Sequence, residues 1–428
     1  MTEFLRFKRG KEILEYPKIS ASFEGNAFLP QRAFIPIAFD SKKPPETIVM
    51  RGETVKEGQI IARTEKPFSI GIYSSIPGIV YDFVDFTLPD GKHIHTAAVK
   101  LEGSFDILGR PSADYPWRTS SYSEIIRAID YSGILNTAEI SPVPLAYRIR
   151  NALKKGGADI YISLFDKDPS SGVDSILFDN FFEEVAEGLG IAAKVLNAAS
   201  LICIHKLVKS DLYKLEKISE VCEPFCKVKF INASNYYPLV QNNYFENKEN
   251  TFLIDIPTAI YTYEVVRTNN PITSVYILVT GKAINEPKVL KVKIGTPIGN
   301  LIEECGGFKT MPAQIILNGL IGGIPVDSLD IPVTSTLKSI HIPGKDNIKK
   351  YSTDDCINCG LCFSSCPLYL EPKKIVTAIE RSALNEDILK QIEICSGCAC
   401  CSACCPSRIP LCSIILEMSK KIKKGSSI

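Results

Sequence analysis

Residues 356–367 read CINCGLCFSSCP, and residues 395–406 read CSGCACCSACCP. Each run spaces three cysteines at two-residue gaps, adds a fourth after a three-residue gap, and closes on proline. The first holds Cys356, Cys359, Cys362 and Cys366 before Pro367; the second holds Cys395, Cys398, Cys401 and Cys405 before Pro406. Eleven of the fifteen cysteines lie between Cys356 and Cys412. In a reducing compartment such clustering points to metal or redox chemistry and away from disulfides. The other four, Cys203, Cys222, Cys226 and Cys305, are scattered and read as small buried hydrophobes.

The spacing has a chemical reason. A [4Fe-4S] cubane needs thiolates converging on separate irons, and two-residue gaps let one tight loop wrap the cube with its backbone N–H groups aimed at the sulfurs. The fourth thiolate comes from elsewhere; in two-cluster ferredoxins, which carry this run, it is the last cysteine of the opposite run. Cluster one is therefore expected on Cys356, Cys359, Cys362 and Cys405, and cluster two on Cys395, Cys398, Cys401 and Cys366. Gly360, Ser396, Gly397 and Ala399 leave room for close backbone approach. Structural zinc uses pairs of C-x2-C and asks for neither a third cysteine at the same gap nor a closing Cys-Pro. Cys400, Cys404 and Cys412 exceed the pattern and read as spare thiols packed nearby, the proline after Cys405 fixing the register in favour of Cys405. Two cubanes in one unit make a relay for single electrons.

Outward from this unit, 428 residues at roughly 150 per domain give about three domains. Hydrophobic residues at 45% and charged residues at 23% are globular proportions. Lys+Arg at 49 against Asp+Glu at 48 lacks the basic excess with which nucleic-acid binders neutralise phosphate. No apolar run approaches the ~18 residues that span a bilayer; the nearest, Gly188 to Ile204, is broken by Lys194 and Asn197. MTEFLRFKRGKEILEY lacks the apolar core of a signal peptide, so an intracellular chain is expected. The tail SKKIKKGSSI reads as a solvated helix end.

The remaining chain divides by pattern. After an N-terminal extension (1–29), residues 30–102 alternate apolar and polar residues between Gly and Pro breaks, as short strands do. Gly52, Gly58, Gly71 and Gly78 fall where turns are needed. V-K-E-G-Q-I-I-A resembles the barrel-sandwich hybrid of biotinyl and lipoyl domains, but Lys66, followed by Pro67, reads as an ordinary surface lysine. Residues 103–120 look like a linker. From 121 to 268 helical and strand patterns alternate, predicting a three-layer α/β domain with a parallel sheet. ADIYISLF, ASLICIHK and CKVKFINA are its strands, SILFDNFFEEVAEGLGIAAKVLNA a helix, and SDLYKLEKISEVCE another with Ser210 or Asp211 as N-cap. Residues 269–339 read as a β-grasp module with a helix begun after Thr296-Pro297 and ended at Gly306-Gly307. Residues 340–428 form the cysteine-rich helical unit, with KKIVTAIERSALNEDILKQIEI as a helical link between the runs.

VTGKAINEPKVLKVKIGTPIGNLIEECGGF, NGLIGGIPVDSLDIPVT, CINCGLCFSSCP and CCPSRIPL stand in one order, and in that order the chain resembles the RnfC family, the C subunits of the Rnf electron transport complex, over nearly its whole length. The β-grasp module resembles the SLBB domain shared with the NADH-binding subunit of respiratory complex I. The resemblance implies a peripheral subunit on the cytoplasmic face of a membrane-bound, ion-translocating complex. It also implies membrane-embedded partners, NADH as donor, FMN on the α/β domain, and exit through the two clusters.

The sequence departs from that family at three nucleotide elements. The family's GxGGAGFPT-type loop, which cradles phosphate at a helix N-terminus, is replaced by Gly133-Ile134-Leu135-Asn136-Thr137-Ala138-Glu139-Ile140-Ser141, where Glu139 would repel phosphate. The acidic flavin segment is replaced by SLFDKDPSSGVDSILFD at 163–179, and an NVGT-type turn by Asp255-Ile256-Pro257-Thr258. The expectation is an electron-relay subunit whose α/β domain keeps its fold as a scaffold with its nucleotide pocket lost or remodelled. Three alternatives stand beside it: a complete NADH:acceptor oxidoreductase with FMN, a zinc-stabilised structural or assembly protein, and the related cluster-free subunit of the sodium-pumping quinone reductase, against which the eight ligands argue.

Overall fold

The strands read from ADIYISLF, ASLICIHK and CKVKFINA form at Asp159–Ser163, Ser200–His205 and Lys227–Ala233 and pair in parallel. The computed structural model describes residues 3–5, 11–12, 19–39, 46–64, 70–88, 93–103, 115–138, 142–233, 236–237, 250–345 and 352–423. Thr251–Ile254 extends this sheet on one side and Glu3–Leu5 on the other, giving five parallel strands. Alternate residues serve its two faces. Ile160, Ile162, Leu201, Cys203, Phe252 and Ile254 enter the main core, shared with helices, while Tyr161, Ile202, Ile204 and Leu253 meet Ala138 and Phe165.

Tyr122–Ser132 opens on a capping box between Ser121 and Glu124 and stops at Gly133, at φ 73°. The long helix Val173–Leu196 lies against Ile256–Thr268, and its small residues decide how close the two come. A Cβ on Gly188 would stand 1.9 Å from the Ala259 carbonyl oxygen. Where SDLYKLEKISEVCE is predicted to be capped by Ser210 or Asp211, those residues instead form a 3-10 turn, Lys209–Asp211, before the helix Tyr213–Cys222. The four scattered cysteines, Cys203, Cys222, Cys226 and Cys305, are all buried.

The described strands between Arg32 and Leu101 form the barrel-sandwich unit. Arg32–Phe39, His93–Leu101, Gly78–Thr87 and Thr54–Val55 make one antiparallel sheet, and Glu46–Thr47, Ile60–Arg63 and Gly71–Tyr73 another. Ala33, Ile35, Ile37, Val80, Ala97 and Val99 fill the space between. Gly52 and Gly58 turn at positive φ, whereas Gly71 lies in a strand, where a Cβ would strike the Tyr73 ring. Lys66 lies outside the described residues.

The SLBB-type module contributes five strands, Ser274–Thr280, Lys288–Lys293, Ile315–Leu317, Ile324–Val326 and Ser339–His341, around the helix Ile298–Glu304. The segment before residue 30, read as an extension, is woven into the rest. Ser22–Asn26 is the sixth strand of this sheet, and Glu3–Leu5 is the edge of the α/β sheet. Residues 115–120, read as linker, are likewise fixed: Trp117, the only tryptophan, is buried with its indole N–H donating to Glu187 at 2.8 Å, and Lys194 donates to the carbonyls of Trp117, Arg118 and Ser120. In the C-terminal unit the link between the runs is two helices, Pro372–Glu380 and Glu386–Ile394. Ser382 breaks them at φ 52°, and Asn385 caps the second.

Gly188→Ala should lower stability by about 1–3 kcal/mol through overpacking against Ile256–Thr268. Urea unfolding followed by circular dichroism checks this; an unchanged midpoint would contradict the close helix approach.

Candidate metal centres

The two cysteine runs fold as two copies of one local structure, each feature recurring 39 residues later. Left-handed backbone occurs at Asn358 and Gly397 (φ 54° and 70°), at Gly360 and Ala399 (72° and 57°), and at Tyr369 and Arg408 (59° and 55°). The short helices Leu361–Ser364 and Cys400–Ala403 match, and so do the starts of the helices Pro372–Glu380 and Leu411–Lys423. For residues other than glycine the left-handed conformation costs about 1–2 kcal/mol each, and such strain gathers where a site dictates the backbone. Right-handed and left-handed residues in succession turn neighbouring N–H groups to one side, a concavity that attracts anions. Here those groups meet sulfur: the Asn358 N–H lies 3.4 Å from Cys356 Sγ. Cys366 sulfur takes backbone hydrogen bonds from Leu368 and Leu370, and Cys395 takes one from Gly397.

Two thiol-lined cavities result. An open one of about 830 Å³ has Cys356, Cys359, Cys362 and Cys405 in its wall, with Lys373 and Arg381 beside them. A much smaller, more closed one of about 20 Å³ is walled by Cys366, Cys395, Cys398 and Cys401. Each cavity thus takes three cysteines from one run and the last cysteine of the other. Among the described residues no three His, Cys, Asp or Glu side chains converge as a single ion requires; the thiols stand around a volume instead.

The three surplus cysteines fall into different places. Cys400 is buried, its thiol directed at the Tyr237 carbonyl at 3.7 Å. Cys404 points to the Cys401 carbonyl at 3.3 Å and is in neither cavity wall. Cys412 is a fifth thiol in the wall of the closed cavity; no spacing motif includes it, and only the 39-residue repeat, which pairs it with Lys373, marks the position. A hydrogen bond from Cys400 pulls the Cys398 thiol down to about 6, while contact with Cys412 and burial raise Cys395. The closed cavity abuts the α/β domain at Tyr236–Tyr237, and burial and the nearby Cys398 hold the Tyr237 phenol neutral.

Comparison with known proteins agrees with this architecture. The family model described as RnfC barrel sandwich hybrid domain matches residues 5–104, and that of the SLBB domain matches residues 276–324. The C subunit of the proton-translocating ferredoxin:NAD(+) oxidoreductase complex of Clostridium ljungdahlii is 24% identical, over 81% of this chain and 78% of that protein. The C subunit of the ion-translocating oxidoreductase complex of Rhodobacter capsulatus is 24% identical over 79% and 68%. The C subunit of the Na(+)-translocating ferredoxin:NAD(+) oxidoreductase complex of Acetobacterium woodii is 22% identical over 82% of each. Over about four fifths of its length the chain is thus similar to C subunits of ion-translocating oxidoreductase complexes. Among the described residues no helix is long and apolar enough to cross a membrane.

In an open α/β sheet ligands bind at the carboxyl ends of the strands, and in this chain that edge is occupied by its own charges. Asp166 accepts the backbone N–H groups of Asp174 and Ser175, at 2.9 and 3.0 Å, at the start of Val173–Leu196. Asp255 caps Ile256–Thr268, accepting from Thr258 N at 3.1 Å and from Thr137 Oγ1 at 2.6 Å. Lys338, from the SLBB module, reaches across to Asp255 Oδ2 at 2.7 Å and Asp174 Oδ1 at 3.4 Å. Burial opposes charge on both carboxyls. Lys338 overcomes it at Asp255, held at about 2, but not at Asp174, pushed up to about 7.

Both helix N-termini that would hold a phosphate are therefore capped by carboxylates. Ser163 Oγ and His205 Nε2, at the strand ends, are buried with no hydrogen-bond partner among the described residues, but burial favours the neutral imidazole and supplies no compensating charge. The described residues at this edge do not fit the phosphate of FMN or NADH. Glu139 lies outside the described residues.

The pairing predicts a pH signature. An acid whose folded pKa is raised binds more protons folded than unfolded, so its contribution to stability falls as pH rises from about 4 to about 7. Asp174→Asn should remove that fall, gaining on the parent by a few kcal/mol between pH 5 and 8, as read by urea unfolding at both pH values. Asp255→Ala, which removes the shorter of the two Lys338 ion pairs and the cap of Ile256–Thr268, should cost about 3–5 kcal/mol. A variant Asp174→Asn that tracks the parent at every pH would contradict the assignment.

Proposed function

We propose that this chain is the electron-relay subunit of an Rnf-type ion-translocating oxidoreductase complex, carrying two [4Fe-4S] clusters and no nucleotide site of its own on the α/β edge. Its relatives in C. ljungdahlii and A. woodii are named as subunits of ferredoxin:NAD(+) oxidoreductase complexes. The observation that carries the reading is the crossed lining of the two cavities: Cys356, Cys359, Cys362 and Cys405 around one, Cys395, Cys398, Cys401 and Cys366 around the other. Two complete four-thiol sets sharing cysteines between two loops match the two-cluster ferredoxin scheme and serve no zinc arrangement, which wants four ligands on one point. When bound, such clusters take up and release one electron at a time.

The chain's residues divide the remaining work. The eight thiolates hold the clusters. The N–H groups of Asn358, Gly397, Leu368 and Leu370 face their sulfurs and offset negative charge. Pro367 and Pro406 end each loop without a donor that would need a partner. Burial separates the sites: Cys366 and Cys401 are buried, whereas Cys359 is exposed. The closed site lies towards the α/β domain and the open one towards a partner. On this reading the chain is peripheral, its membrane contact made through other subunits on the cytoplasmic side, and the electrons it relays arrive from another protein and not from NADH bound at the α/β edge.

Single substitutions test the crossing. In the reconstituted chain, Cys359→Ala and Cys405→Ala should abolish the same electron paramagnetic resonance signal although they lie in different runs. Cys395→Ala should abolish the other. If Cys405→Ala removes the signal lost in Cys395→Ala, each loop holds its own cluster and the crossed assignment is wrong.

A further inference from the structure

The two cysteine loops share a backbone but not a surface. Residues 357–361, at the open outer cavity, are all exposed, whereas their counterparts 39 positions on are half-buried at 396–399 and buried at Cys400. The exposed loop nevertheless carries the larger apolar side chains. Ile357 is 68% exposed, Leu361 46% and Phe363 42%. The matching positions of the other loop hold Ser396, Cys400 and Ser402. The shared backbone therefore does not call for these apolar groups, since serine fills two of the three places in it. Cys359, itself exposed, stands in the cavity wall with Ile357 and Phe363.

Apolar side chains gathered in the open mark a contact surface, and charge selects what meets it. Lys373, Lys374 and Arg381 line the same cavity. Glu371 is the one acid among the described lining residues, and it is taken by Lys374 at 2.9 Å. Lys373 and Arg381 are left as excess positive charge in the wall. Asp354 and Asp355 lie outside that wall, their backbone tied to Ser407. A basic partner would meet like charge here. An anionic lipid surface suits cations and apolar groups, but it brings no electron to the exposed cysteine; a protein with its own redox centre does.

We propose that Ile357, Leu361 and Phe363, with Lys373 and Arg381, form the docking face for a small acidic electron-carrier protein, whose carboxylates meet the two cations while its redox centre is brought over Cys359. One electron leaves the carrier, which is oxidised, and reduces the outer cluster; no bond or proton moves. The inference rests on the relay function proposed above and adds the class of its partner. Redox encounters of this kind use small interfaces, under about 1,200 Å², which a few apolar side chains and two cations can supply.

The test is calorimetric titration of the full-length chain, reconstituted anaerobically, with two probes: an acidic plant-type [2Fe-2S] ferredoxin and a basic cytochrome c. The ferredoxin should bind, more weakly as salt rises, and the cytochrome should not. Ile357→Ser and Phe363→Ser each install the residue that the other loop has at that place. Both should keep about eight irons per chain and weaken ferredoxin binding about tenfold. Lys373→Gln combined with Arg381→Gln should weaken it too and flatten its salt dependence. No ferredoxin binding to the eight-iron parent, or the same binding in parent and variants, overturns the proposal. So does equal binding of the cytochrome. Loss of iron from Phe363→Ser also overturns it, because the side chain would then serve its own loop. Phosphatidylglycerol vesicles that retain the parent but not Phe363→Ser, with no ferredoxin binding, would assign the face to a membrane instead. A parent that takes up no iron sinks the relay function itself, before docking is measured.

Discussion

A loop that turns four thiols inward within eleven residues needs left-handed backbone at fixed points, and L-amino acids resist that conformation. The C-terminal unit meets the requirement six times, with glycine at only two of the six positions: Asn358, Gly360 and Tyr369 in one half, Gly397, Ala399 and Arg408 in the other. The strain is tolerated because the following helices lock each loop in place. Leu370, Ile375, Val376, Ile388, Ile392, Leu411 and Ile415 form a small core between the halves. A core of that size is modest for an independent unit, so the cavities and the fold around them depend on one another. Metal binding to such a unit is also folding energy.

The two halves repeat in backbone but not in surroundings. One cavity is open, with Lys373 and Arg381 in its wall; the other is much smaller and more closed, carries Cys412, and lies beside Cys400, whose thiol reaches the Tyr237 carbonyl of the α/β domain. On the proposed relay function, an electron path through the unit would have an inner and an outer end. The α/β domain behind the inner end keeps its parallel sheet while its ligand edge is taken up by Asp166, Asp174 and Asp255, with Lys338 tying the SLBB module to it. A crevice that holds a cofactor in related folds serves here as an ion-paired joint between domains.

Much of this was legible in the chain, for reasons that differ by element. The cysteine spacing could be read because it lies within two short local runs, and the helix stop at Gly306-Gly307 because left-handed backbone favours glycine at the end of a helix. The strands at 159–163, 200–205 and 227–233 were legible from their apolar runs. What lay hidden depends on distant partners. Ser22–Asn26 and Glu3–Leu5 are strands only because remote edges receive them. Trp117 turns a linker-like stretch into part of the core by reaching Glu187. The Lys338 pairing joins residues 83 and 164 positions apart, which no motif links. Cys412 lies outside the run that makes its neighbours conspicuous.

Cofactor content of the purified full-length chain, reconstituted without oxygen and then desalted, tests the central claim most directly. The account requires about eight irons and eight acid-labile sulfides per polypeptide, with broad visible absorbance and no flavin. One or two zincs in a colourless, sulfide-free protein, or an equimolar flavin released on denaturation, would contradict it.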